Sequence, residues 1–167
     1  IVVDAREIEA FGGAHIEGAQ NIALRDEFPI WAGWMLQPDQ RILLAPQRTE
    51  DIEAIQRHLL RIGLDNLAGV LRRGMRGWIE SGQRFTQLAQ MSVHALKARV
   101  DAGAKDLQIL DVRRADEWRG GHIPGAQNIF VPFLPESYTA RKSAIRSHDE
   151  DQSASTRVAV WSWTYEY

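Results

Sequence analysis

The chain has 167 residues, a length that suits one large or two small domains, with 44% hydrophobic and 25% charged residues, which are globular values. A net charge of −2 gives no field that would favour nucleic acid or an anionic membrane. There are no cysteines, which excludes disulfides, zinc–thiolate sites and any chemistry carried by a thiol of this chain.

No apolar run approaches the ~18 residues of a membrane span. The opening, IVVDAR, has neither the basic region nor the apolar run of a signal peptide. A cytoplasmic location without nucleic-acid or membrane partners is expected, and the chain starts as though inside a domain.

Ile1 to Val3 has a buried-strand pattern, and Glu7 to Phe11 fits about one helical turn before Gly12-Gly13 breaks it. His15 to Ala19 reads as a tight turn with Gly18 free to take a positive φ, followed by extended chain from Asn21 to Leu24. A helix is expected near Pro29 within FPIWAGWML, then a strand over Arg41 to Ala45. Thr49 is a candidate cap for a helix with Glu50 and Asp51 in its first turn. In that helix Ile52, Ile55, Leu59 and Ile62 would share an apolar face and Gly63 would stop it. A strand over Leu67 to Leu71 and a short helix over Gly74 to Ser81, with Trp78 as core anchor, complete this half.

After a connection over Gln83 to Gln90, Ser92 is a good cap for VHALKARVDAG, whose Val93, Leu96 and Val100 face one side. Leu107 to Asp111 and Arg157 to Trp161 read as strands, and Ser137 to Ser155 as a polar mobile loop. Strands alternating with helices at these lengths argue for a parallel α/β sheet. Trp161, Trp163, Tyr165 and Tyr167 alternate as on one aromatic strand face, with Trp161 in the core and the others at an edge.

One stretch occurs twice. Residues 2 to 24 and 109 to 131, offset by 107 positions, agree at 10 of 23 places without a gap. The shared residues are Asp4/Asp111, Arg6/Arg113, Gly13/Gly120, His15/His122, Ile16/Ile123, Gly18/Gly125, Ala19/Ala126, Gln20/Gln127, Asn21/Asn128 and Ile22/Ile129. Two copies of one unit are expected, over 1–88 and 91–167. The first would lack its start and the second its C-terminal third.

The string from Asp111 to Ala126, DVRRADEWRGGHIPGA, resembles the N-terminal signature of rhodanese-like domains, and the first copy carries a looser version with Glu17 in place of the proline. GMRGW at 74–78 resembles the family's later Gly-Gly-x-x-x-Trp element, with Arg73 at the first glycine. The resemblance implies two α/β units, each with a central parallel sheet flanked by helices, among sulfurtransferases and their non-catalytic relatives. The run RIGLDNLAGVLRRGMRGW followed by SVHALKAR also resembles the C-terminal rhodanese repeats of metallo-β-lactamase-fold fusion proteins, some of them persulfide dioxygenases. That narrower likeness implies as partner an N-terminal metal-binding domain or a sulfur-carrying protein.

In active members of the family a cysteine after a strand and before a helix carries sulfur as a persulfide, its thiolate stabilised by converging N–H groups. The resemblance puts that position at Ala45-Pro46 in the first copy and at Ser162 in the second. Pro46 has no N–H, and a serine hydroxyl is hardly ionised at neutral pH without a base beside it. Both copies are therefore expected to be silent in sulfur transfer, either as degenerate domains or as an incomplete copy of an active enzyme. A phosphatase of this fold would also need a cysteine and ranks last.

Other residues allow two readings each. Asp4, Arg6, Asp111 and Arg113 could be a catalytic acid and cation, or could tie a strand end to the next turn. His15 and His122 could be metal ligands, or could fix a loop beside Gly18 and Gly125; none of the histidines shows ligand spacing. Arg72, Arg73 and Arg76 could hold an anion or form a solvated basic face. No metal or cofactor is expected.

Overall fold

The computed structural model describes residues 1–105, 107–130 and 133, and the backbone of 157–161. It divides into two compact units, Ile1–Gln90 and Met91–Tyr167.

The first unit runs β1 (Val2–Asp4), α1 (Ile8–Gly13), β2 (Gln20–Asn21), α2 (Phe28–Met35), β3 (Ile42–Ala45), α3 (Asp51–Arg61), β4 (Leu67–Val70) and α4 (Gly74–Glu80). Its sheet has the order β2-β1-β3-β4 and every pairing is parallel. Parallel strands must be joined by crossovers, and the helices supply them while covering the sheet. Val3, Ile42 and Leu44 from the strands meet Phe28 from α2 and Ile55 and Leu59 from α3, all with essentially no exposure.

Several local expectations change. Gly12 and Gly13 lie inside α1 and do not break it; the helix stops at extended Ala14, whose N–H still reaches the Ala10 carbonyl. The strand itself covers Gln20–Asn21, and the chain stays bonded to the end of β1 beyond it, with Ile22 N–H on the Asp4 carbonyl and Leu24 N–H on the Ala5 carbonyl. Thr49 caps nothing with its side chain: the helix starts two residues later, where Asp51 folds back onto the Arg48 N–H. Ile62 turns out of the apolar face as the α3 C-cap, and Leu64 replaces it in the core. The cause is the turn at Gly63 (φ +79°), which lets Leu64 N–H bond the Leu59 carbonyl and Gly63 N–H the Leu60 carbonyl. In α4 Met75 is the buried anchor; Trp78 is half-buried because its indole N–H seeks the Arg84 carbonyl, 2.7 Å away, at the surface.

The second unit holds α5 (Val93–Asp101), β5 (Leu107–Asp111), α6 (Ala115–Gly120), β6 (Gln127–Asn128) and β7 (Arg157–Trp161). Ser92 Oγ accepts from Ala95 N–H, so the cap of α5 forms as the sequence suggests. Of the three residues assigned to one side, Leu96 is buried and Val100 half-buried, while Val93 stays exposed at the head of the helix, before packing begins. Its sheet order is β6-β5-β7, again all parallel. The polar loop assigned to 137–155 and the aromatics at 163, 165 and 167 lie outside the described residues, and of Trp161 only the backbone is described.

The two sheets repeat each other in register. Val3 pairs with Gln20 and Asp4 with Asn21; Leu110 pairs with Gln127 and Asp111 with Asn128. On the other side Asp4 pairs with Ala45, and Asp111 with Trp161. The second unit thus reaches the equivalent strand end nine residues later than a constant offset of 107 gives (161 against 152). The residue just past that strand is Pro46 in one unit and Ser162 in the other.

Candidate functional site

The C-terminal ends of β1 and β3 set the site. At the end of β1 Asp4 is 1% exposed, and it survives there because Arg6 wraps back onto it. The carboxylate accepts from Arg6 N–H (3.1 Å), Nε (2.8 Å) and Nη2 (2.6 Å), and Nη2 also donates to the Ala14 carbonyl at 2.6 Å. This fork is planar and bidentate, which suits arginine and no other cation. It joins the strand end to the C-terminus of α1.

The second unit builds the same clamp. Asp111 accepts from Arg113 N–H, Nε and Nη2, the last at 2.6 Å, and Nη2 reaches the Gly121 carbonyl at 2.9 Å. Burial pushes the Asp111 carboxyl up, but the hydrogen bonds and charge of Arg113 outweigh it and hold the group below its ordinary range.

Two further residues complete each clamp. Asn21 Nδ2 donates to the Asp4 carbonyl (2.9 Å) and the Arg6 carbonyl (2.8 Å); Asn128 does the same to Asp111 (3.0 Å) and Arg113 (2.8 Å). His15 Nδ1 lies 2.9 Å from the Phe11 carbonyl with its ring stacked on Phe11, and His122 Nδ1 lies 3.0 Å from the Trp118 carbonyl, stacked on Trp118. Both imidazoles are thereby engaged with their own helix ends. Among the described residues no three His, Asp or Glu side chains gather as metal ligands. Gly18 and Gly125 take φ of +77° and +82° in the turns that follow. The repeat in the sequence includes Asn21/Asn128 but assigns them no role, and the pairing of each histidine with an aromatic, Phe11 or Trp118, is readable only from both positions being aromatic.

The loop after β3 is the place to which the sequence resemblance assigns the sulfur-bearing position. Ala45 and Pro46 are buried and Ala45 accepts from Ala5 N–H through its carbonyl. Three of the following N–H groups are engaged locally: Arg48 N–H goes to the Asp51 carboxylate, Asp51 N–H to the Arg48 carbonyl, and Ile52 N–H to the Thr49 carbonyl. Arg48 Nη2 also binds Asp51 Oδ1 at 2.8 Å, and this hydrogen bond holds the carboxyl below its ordinary range. The start of α3 therefore already carries an ionised carboxylate, placed where the helix dipole favours negative charge. Arg48, the cation of this loop, is already paired with Asp51.

Gly74 sits nearby, and a side chain there would come within 3.6 Å of the Pro46 carbonyl. Its neighbour Arg73 has φ +61°. Arg73 and Arg76 both bind Glu80, at 2.6 and 2.7 Å, while Arg72 is exposed, so the three cations do not converge on an anion. Ser162, the residue of the second unit that follows β7, lies outside the described residues.

Comparison with known proteins agrees with this geometry. A family model described as the rhodanese-like domain matches residues 1–81 and again 92–163. No curated protein matches. Among solved structures, the Rhodanese_3 like domain of an Anabaena sp. protein is 18% identical, with a TM-score of 0.50 over 56% of this chain and 97% of that one. A thiosulfate sulfurtransferase from Pseudomonas aeruginosa is 19% identical, with a TM-score of 0.43 over 99% of this chain but 40% of its own length. The wild-type structure of EanB is 19% identical, with a TM-score of 0.47 over 77% of this chain and 36% of that one. The chain belongs to the rhodanese-like domain family, and carries that domain twice.

Proposed function

We propose that this chain is a non-catalytic tandem of rhodanese-like domains, spanning 1–88 and 91–167, that serves a sulfur-handling protein by docking or domain arrangement. The observation that carries the reading is the loop at Pro46: it has no thiol, a proline in place of a donor, and Asp51 occupying the helix start. Sulfur transfer needs a thiolate whose charge is stabilised by its surroundings. Here there is no thiol, Pro46 offers no N–H, and Arg48 is already paired with Asp51. In a thiosulfate-to-cyanide assay the chain is expected to read background, with no sulfane sulfur retained after incubation with a persulfide donor. Clear turnover overturns the reading.

A second reading rests on the run RIGLDNLAGVLRRGMRGW, whose likeness to the repeats of metallo-β-lactamase-fold fusions supports a place beside such a domain in a persulfide-handling protein. The metal chemistry would then belong to that other domain. The genomic sequence on both sides of the encoding segment tests it: a metal-ligand-bearing β-lactamase-like domain in frame upstream is the expected result, and its absence removes this reading.

A further inference from the structure

The connection after α4 is a strap fastened to the first unit. His15 N–H donates to the Thr86 carbonyl (2.9 Å) and Thr86 N–H to the His15 carbonyl (2.8 Å), an antiparallel bridge outside the main sheet. Leu88 N–H donates to the Gly12 carbonyl at 2.9 Å, and the Gln87 side chain to the Gly13 carbonyl at 2.8 Å. The Gln90 side chain donates to the Ile8 carbonyl at 2.6 Å and crosses directly over Gly12, where a Cβ would lie 2.2 Å from its Nε2. The seat for this strap is the clamp itself: the end of α1 and the His15 turn.

The second unit builds the same seat, and among the described residues nothing occupies it. Arg113, Gly121, Trp118 and His122 reproduce the clamp contacts of Arg6, Ala14, Phe11 and His15. Yet His122 is exposed where His15 is half-buried, and among the described residues neither its N–H nor its carbonyl has a backbone partner. The carbonyls of Arg119 and Gly120, which correspond to the acceptors at Gly12 and Gly13, are also unbridged among the described residues. An exposed row of backbone donors and acceptors in fixed positions is a template for an added extended segment.

We propose that the end of α6 and the His122 turn form a docking surface for an extended peptide segment with the chemistry of Thr86-Gln87-Leu88. Such a segment would exchange two backbone hydrogen bonds with His122 and give a third to the Arg119 carbonyl. One difference sets its specificity. Arg119 stands at the position of Gly12, so the crossing made by Gln90 in the first unit is blocked, and the occupant must turn away two residues after its leucine. The proposal extends the docking role above, and the two fail separately, because turnover of sulfur would not fill this seat.

The test uses the full chain and the synthetic peptide RFTQLAQ (Arg84 to Gln90), followed by amide resonances. Saturable shifts at Arg119 to Ile123 are expected, and replacing the final glutamine of the peptide by alanine should leave them unchanged. N-methylation of the threonine nitrogen removes one bridging donor and should weaken binding about tenfold. No binding, binding confined to Gly12–His15, or equal binding by the N-methylated peptide overturns the proposal.

Discussion

Replacing Asp4 by alanine tests the account of the clamp most directly. Asp4 is 1% exposed and accepts three hydrogen bonds from Arg6, whose side chain is only 10% exposed. Without the carboxylate, the Arg6 guanidinium keeps the Ala14 carbonyl as its remaining described acceptor, and a nearly buried cation is left unneutralised. Breaking a buried pair from one side costs about 3–5 kcal/mol, most of it the uncompensated charge. In the second unit the same pair is wetter, with side-chain exposures of 8% for Asp111 and 17% for Arg113, so water can replace part of the loss. There Asp111→Ala should cost about 1.5–3 kcal/mol, the range for hydrogen bonds to a charged group. Hydrogen exchange read separately at Val3 and Leu44 and at Ile109 and Leu110 measures the two losses in one protein. Adding Arg6→Met to Asp4→Ala removes the stranded charge and should recover part of the stability. An equal cost in both units, or no recovery in the double variant, refutes the reasoning.

Other consequences can be checked in the same way. Phe28→Ala empties a fully buried position between α2 and the sheet and should cost about 3–5 kcal/mol in denaturant unfolding of the first unit. Gly18→Ala should cost about 1–2 kcal/mol although its surroundings are open, because φ is +77°; Gly13→Ala, helical and equally open, should be neutral or slightly stabilising. Asp51 and Asp111 both titrate lower in the folded chain than their ordinary value. Their contribution is therefore complete above the unfolded pKa near ~3.9 and lost as pH falls through the lower folded value. Denaturation midpoints taken downward from pH 6 should drop in that acid window, and Asp111→Asn should flatten the drop in the second unit. Pro46→Cys should remain at background in sulfur transfer, since Arg48, the cation of the loop, is already paired with Asp51 and not available to a thiolate; activity in that variant would show that the loop needed only its sulfur.

Much of this was legible in the residues because it rests on short-range patterns. The repeat, the buried runs at Val2, Ile42 and Leu67, and the α3 periodicity are each written in adjacent residues, and the parallel sheet follows from their spacing. What escaped depends on partners distant in the chain. Trp78 stays half-buried because Arg84 offers a carbonyl, and Ile62 leaves the core because Leu64 arrives through the turn at Gly63. The strap is the clearest case: QRFTQLAQ has no pattern beyond that of a linker, and only the folded chain brings Thr86 to His15, 71 positions earlier. Asp51 reads as an ordinary first-turn acid until the Arg48 amide is seen to point at it.

The paired asparagines carry a chemical vulnerability. Asn21 and Asn128 each aim both amide protons at two main-chain carbonyls. Hydrolysis of that amide to a carboxylate would change one heavy atom in size hardly at all, yet would turn two donors into an acceptor facing two acceptors. The lesion would reverse the sign of both contacts at the point where strand, turn and arginine meet. Slow chemical ageing of either residue would then be felt as loosening of its whole clamp, independently in each unit and without any cut in the chain.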